Sequence, residues 1–382
     1  MLKAWIVVVL LLNLYYVVQF VYSYLGLKSL PKITTSAKHV NRFSIVVAMR
    51  NEANNLQNLF KSIHALNYPK SQYELVLVDD FSDDQSVQIA QKLVIEHPDL
   101  NVQIISLSNE GLKHNRAFKK TAIQFGVANS KYNWIVTTDA DCVYRSGYLS
   151  MLDAFIEKHE PKFISAPVEL TPANTLFQKM QALEFKGLVA LGAAYIQRDK
   201  PFLCNGANLA FTRQVFLDLN GYKGFEHIES GDDVWFMHKV QERFPFELFF
   251  ALDKELIVSS SPCQNAKAFI NQRKRWTSKN TEYKKVSQLI TLSVDYLFYC
   301  AILLNLILGL FFNQLLNLAV FMMVSKALVE LNLYLTFNKY VKTRGWFFTY
   351  LITFPVQLFY VILIYPLSQF TKFKWKNRVF NA

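Results

Sequence analysis

The chain has 382 residues, 52% hydrophobic, 15% aromatic and only 18% charged, with a formal net charge of +12. That length holds one large domain or two medium ones, and the apolar excess sits at the two ends, the layout of a soluble domain held between membrane segments. No Lys/Arg block with interleaved aromatics and no zinc-finger spacing occurs, so the positive charge is not read as a nucleic-acid footprint. Much of it flanks the apolar ends instead (Lys28, Lys32 and Lys38; Lys339, Lys342 and Arg344; Lys372 to Arg378), where anionic headgroups attract it. Cys142, Cys204, Cys263 and Cys300 form no CxxC pair and read as buried reduced thiols.

Ala4 to Leu25 is an uncharged apolar run, long enough to cross the roughly 30 Å hydrocarbon core. No small-residue cleavage site follows it, so it reads as a retained anchor within a segment 1–27. The lysines after it outnumber Lys3 before it, which places the following domain, 40–282, in the cytoplasm. There strands and helices alternate. Phe43 to Met49, Glu74 to Val78, Asn101 to Ser106 and Asn133 to Thr138 read as strands. Helical spacing links Leu56, Leu59, Phe60 and Ile63, then Val87, Ala90, Leu93 and Val94, and a third helix is expected from about Arg116 to Val127. Apolar strands alternating with helices predict an α/β fold, a mostly parallel sheet with helices on both faces.

The segment 283–382 is apolar again, with candidate spans at Tyr296 to Phe312, Leu315 to Phe337 and Trp346 to Phe370. Lys326 and Glu330 stand four apart and are expected to neutralise each other. Three spans here would leave the basic tail on the side opposite the cytoplasmic domain, against the positive-inside tendency. A re-entrant pair around Pro355 would relieve that conflict.

The polar residues gather at strand ends: Met49-Arg50-Asn51-Glu52, Asp79-Asp80-Phe81-Ser82-Asp83-Asp84, and Thr138-Asp139-Ala140-Asp141. In parallel sheets, ligands bind at the carboxyl ends of strands. Acids converging there require a cation or a raised pKa. Two aspartates one residue apart, Asp139 and Asp141, suit Mg²⁺ or Mn²⁺ with diphosphate oxygens completing the shell. Ser230-Gly231-Asp232-Asp233 and Gln272-Arg273-Lys274-Arg275-Trp276 follow in order; on a helix Gln272, Arg275 and Trp276 share one face.

Together these five motifs resemble family 2 glycosyltransferases of the GT-A fold, over about Phe43 to Trp276. The closing pentapeptide matches that family's Q-x-x-R-W, and Asp232-Asp233 stands where Glu-Asp is commoner. The resemblance implies a Rossmann-like GT-A domain and an inverting transfer, with Asp233 as general base beside Asp232. It implies that Arg50, Glu52 and Asp80 grip the base and ribose of a nucleotide sugar, with Asp79 as the alternative contact or a helix cap. Asp139 and Asp141 would carry the metal–diphosphate contact, and Gln272, Arg275 and Trp276 the leaving group and sugar. A headgroup-anchoring role is the other reading of that last trio. Asn205 and Asn208 would shape the acceptor side, or form an ordinary turn. Lys119 and Lys120 fall where the family often carries a basic residue near the donor, although their pattern reads as a solvated helix face.

The expected enzyme is a multi-pass inner-membrane glycosyltransferase with a cytoplasmic catalytic domain. It would move a hexose or N-acetylhexosamine from a UDP-sugar to a lipid or glycan acceptor at the bilayer. Two alternatives stand beside it: a processive polysaccharide synthase subunit, and a non-catalytic membrane scaffold with a degenerate nucleotide-sugar fold. The sequence lacks GxxxxGK[ST], HExxH, GxSxG and GxGxxG motifs, and its seven histidines form no pair at metal-binding spacing.

Overall fold

The structure, a computed structural model, describes residues 2–33, 39–110, 118–226, 228, 230–278, 283, 285–343, 345–375 and 378–380; Lys38, Arg116, Arg344 and Lys376 lie outside them. The chain divides into two compact units, one formed by Met1–Lys28, Asn174–Ala190 and Cys263–Ala382, the other by Ser29–Ala173 and Leu191–Pro262.

In chain order the elements are α1 (Leu2–Lys28), β1 (Phe43–Met49), α2 (Leu56–His64), β2 (Tyr73–Asp79), α3 (Ser86–Glu96), β3 (Val102–Ser106), α4 (Phe118–Asn129) and β4 (Trp134–Asp139). Next come α5 (Tyr148–His159), β5 (Phe163–Ser165), β6 (Val168–Leu170), α6 (Leu176–Gln197), β7 (Leu209–Thr212), α7 (Arg213–Asp218), α8 (Asp232–Arg243), β8 (Leu248–Phe250) and β9 (Val258–Ser260). The last are α9 (Ala266–Ser278), α10 (Val286–Leu308), α11 (Asn313–Phe337), α12 (Trp346–Phe370), β10 (Phe373–Trp375) and β11 (Arg378–Phe380).

The α/β unit is built on a seven-stranded sheet of order β3-β2-β1-β4-β7-β5-β8. Its four-strand parallel half is the one expected from the sequence, with β1 between β2 and β4. Every residue of β2 and nearly every residue of β1 is buried, which is why these strands read as apolar runs rather than alternations. Helix α4 lies against β1 and β2 at Gly126, where a Cβ would come within 2.3 Å of Val46 Cγ1. Only glycine permits so close an approach.

Strands β5 and β8 and the direction of β7 were not foreseen. Strand β7 runs antiparallel to both β4 and β5, and β5 pairs in parallel with β8. These strands are three or four residues long, too short for a periodicity to register. Strands β6 and β9 form a separate parallel pair.

In the other unit, α1, α10, α11 and α12 are each long and apolar enough to cross a membrane. Helix α1 packs on α10 and α11, with the Tyr16 ring stacked on Phe298 at 4.0 Å. The expected pairing inside the bundle is present: Lys326 Nζ donates to Glu330 Oε2 at 2.7 Å, and the Tyr16 hydroxyl donates to Glu330 Oε1 at 2.6 Å. Buried charge is thereby matched, as an apolar surround requires. Helix α10 begins ten residues before the expected Tyr296, at Val286, because Gln288 and Asp295 interrupt the hydropathy but not the helix. Helix α12 is continuous through Pro355 and Pro366, so the chain makes no re-entrant break at Pro355. All four cysteines are free, with only Cys142 fully buried.

Candidate active site

The site is assembled from the loops that leave β1, β2 and β4. Two of them turn through left-handed backbone, at Asn51 (φ +53°) and Phe81 (φ +54°). Asparagine tolerates that region, whereas a bulky phenylalanine there is strained. The strain at Phe81 is held by Arg50, whose Nη1 donates to the carbonyls of Asp80 (2.7 Å) and Phe81 (2.6 Å). Arg50 therefore clamps the second acidic loop to the first. Asp79 accepts from Ser82 N at 3.2 Å and Ser106 Oγ at 3.3 Å, so it ties the turn after β2. Asp84, one residue before the N-cap Gln85, meets the first amide of α3, accepting from Ser86 N at 2.9 Å. Asp80 and Glu52 are buried beside this clamp, and Glu52 Oε2 accepts from Asn55 Nδ2 at 2.6 Å.

The Thr138–Asp141 loop meets the start of α8 through a residue whose role the sequence pattern misjudged. Lys119 is no solvated face: its Nζ donates to Asp139 Oδ1 at 2.6 Å and stands 3.9 Å from Asp232 Oδ2. Lys119 is partly buried and Lys120 fully so, the latter donating to the carbonyls of Phe225 (2.7 Å) and Ile228; it holds the approach to Ser230. The signal that could have revealed Lys119 was the chain's own acid excess at three strand ends, which calls for a counter-cation.

Gly231, with φ +80°, opens α8, so Asp232 and Asp233 occupy the first helical turn, where the N-terminal amides favour negative charge. Asp233 Oδ2 accepts from Gly206 N at 2.9 Å and Oδ1 from Val234 N at 2.8 Å. The Cys204–Asn208 turn thus abuts the acidic pair. Asn205 Oδ1 accepts from Ala207 N at 2.9 Å. Asn208 is fully buried, linked to Tyr148 Oη at 2.6 Å and to the carbonyls of Pro167 and Leu256. It can shape an acceptor surface only through the backbone it holds. Tyr222, also overlooked, lies beside Asp232 and Asp233; burial first, then those two charges, push its hydroxyl pKa well up.

Burial, then the Asp139 charge, raises the Asp141 carboxyl pKa above the ordinary carboxylate value; Ser260 opposes this and Glu52 adds to it. Ser260 Oγ donates to Asp141 Oδ2 at 2.8 Å. Among the described residues no three His, Cys, Asp or Glu side chains form a metal cage by themselves. Two hard-oxygen aspartates with crowded negative charge nonetheless fit the way Mg²⁺ and Mn²⁺ bind, through one or two carboxylates, with substrate phosphates and water filling the shell.

Gln272, Arg275 and Trp276 lie on α9, in the unit that holds the apolar helices. The dominant contact of that helix belongs to a residue between them. Arg273, 2% exposed, bonds Glu184 of α6 through Nε (3.1 Å) and Nη2 (2.5 Å). Its guanidinium stacks on Trp276 at 4.3 Å and Phe269 at 4.5 Å, and Nη1 donates to Gln272 Oε1 at 2.6 Å. Burial is the largest influence on Arg273 and lowers its pKa, but the charge and hydrogen bond of Glu184, with smaller contributions from Tyr360 and Cys263, together leave it raised. Arg275 and Trp276 are half-buried.

A mostly parallel α/β sheet with acidic loops at its strand ends, joined to apolar helices, is the architecture of a membrane-associated GT-A glycosyltransferase. The chain belongs to glycosyl transferase family 21, whose model matches residues 8–382, in line with the family-2-like motifs. It is 28% identical over 122 residues to the poly(ribitol-phosphate) beta-N-acetylglucosaminyltransferase TarS of Staphylococcus aureus, covering 31% of this chain and 19% of TarS. It is 23% identical over 186 residues to the poly-beta-1,6-N-acetyl-D-glucosamine synthase of Staphylococcus epidermidis, covering 47% of this chain and 42% of that enzyme. The chain thus spans less than half the length of either relative. The mannosyltransferase PcManGT of Pyrobaculum calidifontis, solved with GDP-Man and Mn²⁺, shares the fold: TM-score 0.56, 15% identity, covering 94% of this chain and 99% of that one.

Proposed function

We propose that the protein is an inverting glycosyltransferase that moves a hexose or N-acetylhexosamine from a UDP-sugar onto a lipid or glycan hydroxyl at the cytoplasmic face of the plasma membrane. The observation that carries this reading is Lys119, whose ammonium lies between Asp139 of the β4 loop and Asp232 of α8. That ammonium links the loop proposed for the donor to the helix start proposed for the base. Relatives named for N-acetylglucosamine transfer support the donor class.

In this reading Arg50 fixes the two loops that would receive the base and ribose, with Glu52, Asp79 and Asp80 lining them. Asp139 and Asp141 would hold Mg²⁺ or Mn²⁺, which when bound supplies Lewis-acid screening of the diphosphate charge. Asp233 takes the proton from the acceptor hydroxyl as it attacks the anomeric carbon, the general-base role. It is fixed by two backbone amides and each carboxylate oxygen keeps a further lone pair to receive that proton. Asp232, paired across to Lys119, sets the charge beside the base. Arg275 would bond the leaving diphosphate, Gln272 would orient it, and Trp276 would stack on a sugar ring. Asn205 would order the acceptor-side turn.

The similarity to a poly-N-acetylglucosamine synthase favours a second reading, repeated transfer onto a growing glycan. Full-length protein in detergent, given Mn²⁺ and a panel of nucleotide sugars with lipid extract, tests both. UDP release with a product one sugar larger supports single transfer, and a ladder supports polymerisation. No diphosphate release with any donor refutes the enzyme reading.

A further inference from the structure

Helix α12 has the length and hydropathy of a membrane span, but it meets the polar helices α6 and α9 from one end to the other. At its start, the connection from α11 is gripped by Lys186 of α6, whose Nζ donates to Asn338 Oδ1 (2.6 Å), Val341 O (2.7 Å) and Thr343 Oγ1 (2.9 Å). In its first turns Tyr350 packs with Tyr334 and Leu183 of α6. Past its midpoint Tyr360 meets Phe269 of α9, ring centroids 5.4 Å apart. Just beyond its end, Lys274 Nζ of α9 donates to the Lys372 carbonyl. Helix α12 is therefore in contact with the α6–α9 pair at its head, its middle and its tail, and α6 and α9 are themselves riveted by Arg273 and Glu184.

That pair cannot traverse hydrocarbon. Over Leu176–Ala190, α6 carries Gln178, Lys179, Gln181, Glu184 and Lys186, and α9 carries Lys267, Arg273, Lys274 and Arg275; each charge at the bilayer centre costs roughly 2.5–3.5 kcal/mol or more. A helix that crosses the core cannot keep both ends on a layer that stays at the surface.

The depth of its contacts agrees. Helix α12 meets α11 at Lys326, whose Nζ donates to Gln357 Oε1 at 3.1 Å, and meets α10 at Tyr296, whose ring lies 5.1 Å from that of Tyr365. At 1.5 Å per residue, each point is about 15 Å from the end of its span nearer α6 and α9. That is half of the roughly 30 Å core.

We propose that α12 is an in-plane helix bedded in a single leaflet, the one that α6 and α9 border, and that only α1, α10 and α11 cross the bilayer. The surface it offers to acyl chains includes Phe348 (73% exposed), Leu363 (60%) and Phe370 (86%), while its other side rests on α6 and α9. With three crossings, the basic tail returns to the side of the catalytic domain, where positive charge is favoured. This inference does not depend on the reaction assigned to the site.

Single cysteines placed at Phe311, Thr343 and Thr371, in a chain with the native cysteines replaced, are treated with a membrane-impermeant maleimide in oriented vesicles. Thr371→Cys is expected to label from the same side as Thr343→Cys, and Phe311→Cys from the other. Labelling of Thr371→Cys together with Phe311→Cys overturns the proposal. Should the cysteine-free chain fail to fold, protease digestion of an otherwise native chain tagged at both termini decides the matter. Loss of the C-terminal tag from the side that cleaves the catalytic domain supports an in-plane α12, and loss from the side of the N-terminal tag refutes it.

Discussion

Replacing Asp233 by asparagine, usually a silent isostere, carries two separable costs here. Both oxygens of the Asp233 carboxylate accept backbone amides, from Gly206 at 2.9 Å and Val234 at 2.8 Å. An asparagine has one oxygen, so its NH₂ must face one of those N–H groups. The resulting unpaired donor costs about 1–3 kcal/mol of stability, which lowers the melting temperature by roughly 2–4 °C per kcal/mol in a domain of this size. Removal of the general base costs about 10²- to 10⁴-fold in turnover. Asp233→Ala leaves both amides unpaired and should fall further in melting temperature while losing no more activity than Asp233→Asn. The measurements are UDP release at saturating donor, UDP-sugar affinity by titration, and thermal unfolding, all on full-length protein in detergent. Donor affinity should stay within a few-fold of wild type. Turnover within about threefold of wild type in a folded Asp233→Asn protein would show that the base lies elsewhere.

Lys119→Met should reduce UDP release by about 10-fold or more, because Asp139 and Asp232 lose the cation between them; an unchanged rate would return Lys119 to a surface role. Ser260→Ala should weaken Mn²⁺ binding with UDP present by about 10- to 100-fold, the usual loss when a ligand's supporting partner is removed. Electron paramagnetic resonance of free Mn²⁺ measures this, and rescue by Ser260→Thr separates positioning from unfolding. Asp141, with its pKa raised in the folded protein, contributes stability in full below the ordinary carboxylate range, and that contribution is lost as pH rises through its folded pKa. In EDTA at neutral pH, Asp141→Asn should therefore melt no lower than wild type, and Mn²⁺ should raise the melting temperature of wild type alone. Glu184→Gln leaves the buried Arg273 charge without its partner and should cost about 3–5 kcal/mol, read as loss of folded protein in detergent.

The legible parts of this molecule were those written in repeating units. Strand β1 occupies Phe43–Met49 as expected, and its parallel neighbours fall within a residue or two of their expected bounds, because strands covered on both faces are uninterrupted apolar runs. The acids at their ends were legible for the same reason: a polar cluster that stops an apolar run marks the carboxyl edge of a parallel sheet. What the sequence concealed depends on distance in the chain. Lys119 looks like one of two adjacent lysines on a helix. Only the approach of α4 to the β4 loop and to α8 makes it the ion-pair partner of Asp139 and a near neighbour of Asp232. Arg273 hides between Gln272 and Arg275, and nothing local announces that its partner is Glu184, on another helix. Hydropathy likewise cannot mark α12 as the odd one out, since it carries no charge at all while α11 carries Lys326 and Glu330; only the polar helices that α12 contacts do so.

One backbone feature links these levels. Phe81 pays for a left-handed conformation that an asparagine or glycine would adopt at less cost, and it does so next to two buried aspartates. The geometry gained is specific: with φ at +54° its carbonyl and that of Asp80 both accept from Arg50 Nη1, bringing the β2 loop under the β1 loop. Phe81→Gly should relieve the strain yet widen the unfolded ensemble, offsets of similar size, about 1 kcal/mol each. The melting temperature should therefore move little. Arg50→Lys, which loses the rigid guanidinium plane that aims Nη1 and sets Nη2 3.9 Å from Asp83 Oδ2, should instead loosen the loop and weaken UDP binding by roughly 10-fold or more. If Arg50→Lys bound UDP as wild type does, the clamp would be incidental, and the strain at Phe81 would require another explanation.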